Sequence, residues 1–235
     1  MSVALCAAQQ LPAPRQESPA TGILRKSEAE QVAYTNSVLD RGMQVDETES
    51  LVTLVLTRSS LVLPMLEKKI EEVLRSQAPL DCFTDKTVEP QKFIDQAALT
   101  IAYAGDEYAL KEISKLIAVD GKRFGTLVRG ALTAAQNRRN PFVVAYRGFE
   151  IGDPALNKKL VEWIEPQFDN ETEFRQEQLK NWWAEAMLDK YGGVPNEVNW
   201  ANDPIASRLT PARAESLHYE ILRLAVEAFE KRSNK

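Results

Sequence analysis

Apolar residues recur through most of this chain at spacings of three and four, the interval that lines one face of an α-helix. The first pattern runs from Glu28 to Met43, with Ala29, Val32, Leu39 and Met43 inward. A stronger one runs from Glu47 to Arg75 through Leu51, Leu54, Val55, Leu61, Val62, Met65, Leu66, Ile70, Val73 and Leu74. Leu51 to Leu56 is short and Val-rich enough for a buried strand, but no second strand lies nearby to pair with it, so helix is expected. Pro64 is expected in the first turn of a second helix or at a kink, and Leu80 to Pro90 as a loop.

The central stretch, Glu89 to Phe168, repeats the pattern between Gly-Asp and Asp-Gly turns. Phe93, Ala97, Ile101 and Ala104 form one stripe, stopped by Gly105-Asp106. Tyr108, Ala109, Ile113, Leu116 and Ile117 form the next, stopped by Asp120-Gly121, and Phe124, Leu127, Val128, Ala131, Leu132 and Ala135 a third. Phe142 to Phe149 reads as a short apolar turn leading into Gly152-Asp153-Pro154. That triplet is a helix start: glycine breaks, Asp accepts from orphan amides and Pro takes the first helical position. Leu156, Leu160, Trp163, Ile164 and Phe168 line the helix that follows. Another is expected from Asp169 or Asn170 to Tyr191, with Trp183 in the core and Trp182 at its edge. A loop carrying Trp200 runs from Val194 to Leu209, and a last helix starts at Thr210-Pro211.

Short turns force such helices to lie antiparallel beside their sequence neighbours. The expected fold is therefore all-α, with antiparallel hairpins stacked as a short, irregular α-solenoid or bundle. The segments AGDEYALKEISKLI and IGDPALNKKLVEWI resemble helices of HEAT or armadillo-type α-solenoids, and their Gly-Asp turns, at Gly105 and Gly152, lie 47 residues apart. The resemblance covers about a third of the chain. It implies a scaffold for protein contacts and carries over no catalytic residues.

The N-terminus breaks the helical pattern. MSVALCAAQQ followed by LPAPRQESPA is an apolar run of small residues and then a Pro-rich polar stretch, the look of a truncated secretory signal with cleavage after Ala8. Residues 1–26 are thus expected to be a signal remnant or disordered tail, and residues 27–235 a single helical domain. Export to the periplasm or medium is favoured over a cytoplasmic tail.

Composition adds little until charge is placed along the chain. Hydrophobic residues make up 44% and charged residues 27% of the 235 positions, as in ordinary soluble domains. The net charge of −5, from 29 Lys and Arg against 34 Asp and Glu, disfavours nucleic acid and anionic membranes. Against that background residues 121–159 hold eight Lys or Arg beside only Glu150 and Asp153. Lys122, Arg123, Arg129, Arg138 and Arg139 are therefore the candidate surface for a protein partner, with Trp182 as a possible aromatic anchor; the bland alternative is two solvated helix faces of opposite sign.

No pattern for a nucleotide loop, a nucleophile elbow or a metal site occurs, so no cofactor or metal is expected. His218 is the single histidine, and the two cysteines, Cys6 and Cys82, have no metal-ligand spacing. The expected function is non-enzymatic: a helical-repeat-like protein that binds another protein. The alternative is an exported helical hydrolase or lyase using acidic residues in a cleft under the Trp200 loop, since carboxylate pairs form across a fold and leave no local spacing.

Overall fold

A computed structural model describes residues 19–169, 172–192 and 202–234, apart from the side chains of 19–21, 45 and 46. Among these residues every regular element is helical. The chain runs α1 (Pro19–Leu24), α2 (Glu28–Arg41), α3 (Val45–Thr57), α4 (Ser59–Arg75), α5 (Pro90–Ala102), α6 (Glu107–Val119) and α7 (Gly121–Phe124). It continues with α8 (Leu127–Gln136), α9 (Pro141–Ile151), α10 (Pro154–Gln167), α11 (Glu173–Tyr191) and α12 (Pro211–Ser233). Short 3₁₀ turns occupy Pro79–Cys82 and Ala206–Arg208.

The helices pack in two ranks. One is α3, α5, α8 and α10, each against the next; the other is α4, α6, α9 and α11, again each against the next. Within the array α3 pairs with α4, α5 with α6 and α8 with α9, so each hairpin contributes one helix to each rank. Helix α12 covers α11, while α1 and α2 close the other end against α3 and α4. This is the stacking of sequence-neighbouring hairpins that the short turns dictate, and it buries one contiguous core from Ile23 to Ala225.

Two turns with the same Gly-Asp sequence answer to different physics. Both glycines are left-handed, Gly105 at φ +53° and Gly152 at φ +76°, a region that side chains with a Cβ rarely enter. Both aspartates then cap the next helix, Asp106 accepting from Ala109 N at 2.9 Å and Asp153 from Leu156 N at 2.6 Å. Gly105 meets a second demand: a Cβ there would lie 2.8 Å from Ala131 O and from Ala135 N, so the turn is pressed onto the backbone of α8. Nothing stands within 4 Å of the corresponding point at Gly152.

The structure corrects several expectations. Phe142 to Phe149 is not a turn but most of α9, started by Asn140 accepting from Phe142 N at 3.0 Å. The segment is apolar over most of its circumference because it is enclosed by α6, α8, α10 and α11, with only a narrow edge at Arg147 and Glu150 exposed, so its period is weak. Phe142, the second residue of α9, stacks on Trp183 at 5.7 Å with planes 6° apart. Pro64 lies at the sixth residue of α4, beyond the first turn. The carbonyl it leaves without a helical donor belongs to Ser60, which is exposed and can bond to water.

Helix α11 starts at Glu173 with Thr172 as its cap, later than the expected Asp169 or Asn170; residue 170 lies outside the described residues. The stripe expected from Phe124 onward is split, Gly121–Phe124 forming its own turn before α8. Of the expected tail, Pro19–Leu24 is helical and Ile23 is 3% exposed, its carbonyl accepting from Gln31 Nε2. The signal and cleavage pattern at residues 1–18, like Trp200, falls outside the described residues.

The described part of the expected Trp200 loop is held by a buried carboxylate. Asp203 is 0% exposed and accepts from Tyr146 Oη at 2.8 Å, Tyr191 Oη at 3.0 Å, Ile205 N at 2.9 Å and Ala206 N at 2.8 Å. Trp183 Nε1 donates to Tyr146 Oη at 2.9 Å, which ties the loop to the aromatic cluster around Phe142. Desolvation first, and then the nearby Asp203 charge, push both tyrosine hydroxyls above their ordinary pKa, so they stay protonated as donors.

Candidate functional site: the face of α3, α5 and α8

Three large apolar side chains remain open on the first rank: Leu56, Leu99 and Tyr103 are 43%, 47% and 45% exposed. All three line one groove of about 550 Å³ between α3, α5 and α8. Its floor is made of small residues, Ala102, Gly130 and Ala134, and its rim carries Arg129 and Arg138. At the floor, a Cβ on Gly130 would sit 3.5 Å from Ala102 Cβ, so α5 and α8 approach closely and no side chain rises between them.

Arg129 is also where this groove meets two others. A hollow of about 360 Å³ between α7, α8 and α10 is lined by Lys122, Arg129, Lys159 and Glu162. A smaller one of about 230 Å³ runs past Arg129, Gln136 and Pro166 to Arg175. Among the described residues the side chains of Lys122 and Arg129 meet no hydrogen-bond or ion-pair partner, and both are exposed. Lys159 by contrast pairs with Glu162 at 2.7 Å.

The five candidate cations therefore divide. Lys122, Arg129 and Arg138 line adjoining hollows on one face. Arg138 also donates from Nη2 to the carbonyl of Tyr103, which fixes its stem beside the groove. Arg123 turns away: its guanidinium bonds Asp95 at 2.7 Å and the carbonyl of Gln91 at 3.2 Å, so it joins α7 to α5. Arg139 reaches Glu107 at 3.6 Å on an exposed surface. Trp182 is packed against the core with the Arg175 guanidinium 5.2 Å above its ring and is not part of the groove lining.

The structure does assemble a carboxylate pair, though away from the Trp200 loop. Glu67 on α4 and Glu112 on α6 are both buried, and Lys115 Nζ spans them at 2.5 Å from Glu67 Oε1 and 3.0 Å from Glu112 Oε2. Burial, and a hydrogen bond with Glu67, push Glu112 up to about 7, so the pair shares a proton near neutrality. Neither carboxylate lines a groove described above.

No family model, curated protein or solved structure matches this chain. Among the described residues no group of three His, Cys, Asp or Glu side chains is placed to hold a metal, and no helix is long and apolar enough to cross a membrane. Cys82 is half-buried against the core, its carbonyl accepting from Lys69 Nζ at 2.7 Å, and His218 rests edge-on against Tyr219.

The charge pattern along the chain singles out the arginines of this face, but not the apolar side chains that line the groove beside them. A signal was present: Leu99 and Tyr103, the residue that caps α5, lie four apart, off the stripe of Phe93, Ala97 and Ile101, and so form a second apolar line on the outward side. Leu56 could not be told from the buried Leu51, Leu54 and Val55 beside it.

Proposed function

We propose that this chain is a non-enzymatic scaffold of helical-repeat type that binds a partner protein across the exposed face of α3, α5 and α8. The observation that carries the reading is the gathering of Leu56, Leu99 and Tyr103 into one open groove beside Arg129. Clustered exposed apolar side chains with a polar rim mark interaction surfaces, whereas single ones do not. The two-rank stacking supports the likeness to HEAT and armadillo-type scaffolds, whose hairpins present one rank to a partner. An envelope location is part of the same reading and is tested by cell fractionation.

The alternative, an exported hydrolase or lyase, draws on Glu67 and Glu112. Lys115 closes that pair, and an acid catalyst needs reach to a substrate. The docking reading is tested by photocrosslinking. Photoreactive residues at Leu99 and Tyr103 are expected to trap a discrete protein adduct in native extract, while the same residue at the remote, exposed Val119 or Tyr219 traps none. Equal labelling from all four positions would remove the reading.

A further inference from the structure

We infer that the groove between α3, α5 and α8 takes an acidic amphipathic segment of another protein, its apolar side chains on Leu56, Leu99 and Tyr103 and its carboxylates on Arg129 and Arg138. This rests on the docking reading above and adds the chemistry of the partner.

Charge is the first argument. The protein carries 34 acidic residues and a net charge of −5, yet the groove lining holds two arginines and neither Asp nor Glu. Asp106 acts on Arg138 and Glu162 lines the hollows that adjoin at Arg129, but within the groove itself a carboxylate meets only the two guanidinium groups, which would repel a cationic segment. Arg129 has no partner among the described residues, so its planar fork is available for bidentate binding of a carboxylate. Arg138 is held at one nitrogen by the Tyr103 carbonyl, which leaves the rest of its fork at the rim.

Shape is the second. Ala102, Gly130 and Ala134 leave the floor low, so Leu- or Phe-sized side chains have room to descend between the exposed walls of Leu99 and Tyr103. Helix α8, which forms one wall, spans about 15 Å, the length of roughly three turns of a docked helix. A nucleic acid is a poor fit: it asks for a track of cations along successive phosphates and for a positive protein, and the apolar walls offer its backbone nothing.

The test is a selection of random peptides of about twelve residues, displayed on phage, against the full chain, read with its Leu99→Glu and Arg129→Glu variants. Both positions are exposed, so both variants are expected to keep the parent thermal midpoint; Arg129→Gln serves as a milder second variant. The expected result is enrichment of peptides combining Asp or Glu with large apolar residues. Leu99→Glu abolishes their binding, and Arg129→Glu weakens it by about tenfold and shifts selection toward Lys- and Arg-bearing peptides. Tyr219→Ser, on the remote surface, leaves the same peptides bound.

Enriched peptides that are neutral or basic, yet lost with Leu99→Glu, would overturn the acidic partner while the docking reading stands. A dimer in sedimentation that Leu99→Glu dissolves would overturn it in favour of a second copy of this chain. No enrichment, with crosslinks still forming at Leu99, would overturn it in favour of a folded or non-peptide occupant. No enrichment and no crosslinks would remove both readings.

Discussion

Glu112 makes the stability of this fold depend on pH in a defined direction. The carboxyl titrates near 4.5 when unfolded and about 7 when folded, so between those values the folded state holds a proton that the unfolded state has lost. Stability from this group is therefore greatest at the acid end of that window and falls as pH rises through 7. Glu67 is shifted down, so its stability is present above 4.5 and is lost as pH falls below that, and Lys115 is shifted up, so its own is present below 10.5 and is lost above it; neither changes between pH 5 and 8. Between pH 5 and 8 the unfolding free energy obtained from urea denaturation is expected to fall by an amount on the order of 1–3 kcal/mol. Glu112→Gln flattens the slope; an unchanged slope in that variant would refute the assignment. Asp203 is a second sensitive residue. Asp203→Ala strands donors that it now satisfies and costs about 3 kcal/mol in urea denaturation, whereas Tyr191→Phe, losing one hydrogen bond, costs about 1. Equal losses from the two would show that the carboxylate does not organise the loop.

At the scale of elements the two Gly-Asp turns give a matched pair. Gly152→Ala is expected to cost about 1 kcal/mol, the strain of a Cβ at positive φ. Gly105→Ala adds a collision with the backbone of α8 and is expected to cost about 3 or more, read as a lower thermal midpoint. Similar costs at both sites would mean that the α5–α6 turn does not bear on α8. This difference was beyond the sequence, where AGD and IGD are alike, because the neighbour of Gly105 comes from residues 131–135. The same limit explains α9. Helices with a broad wet face announce themselves by period, as α5, α6 and α10 do, but α9 is packed by four other helices and keeps only the narrow wet edge of Arg147 and Glu150, too little to show a period. Charge behaves likewise: the count along the chain located the basic stretch, yet only tertiary contacts decide that Arg123 belongs to Asp95 while Arg129 is left open.

For the whole molecule, hairpins stacked in order mean that each unit is supported mainly by its neighbours. Amide hydrogen exchange should reflect this. Protection is expected to peak in α5, α6, α8 and α9, which have neighbours on both sides, and to decline toward α2 and α12 at the ends. Uniform protection from α2 to α12 would argue for a single cooperative body instead. The general architecture followed from turn lengths and apolar stripes alone, since hairpins with short links have few ways to pack. What the stripes did not convey was the closing contact at the far end, where Asp203, Tyr146 and Trp183 draw chain from three places into one knot.

That knot also gives the protein an optical signature. Trp183 is fixed by its own hydrogen bond, stacked on Phe142 and flanked by Phe168 at 5.8 Å, so its indole sits in one rigid, asymmetric surround of rings. Such a chromophore gives sharp ellipticity between roughly 280 and 300 nm, a band that vanishes when packing loosens even if helices persist. The far end of the stack can thus be watched by light, apart from the helix signal of the rest.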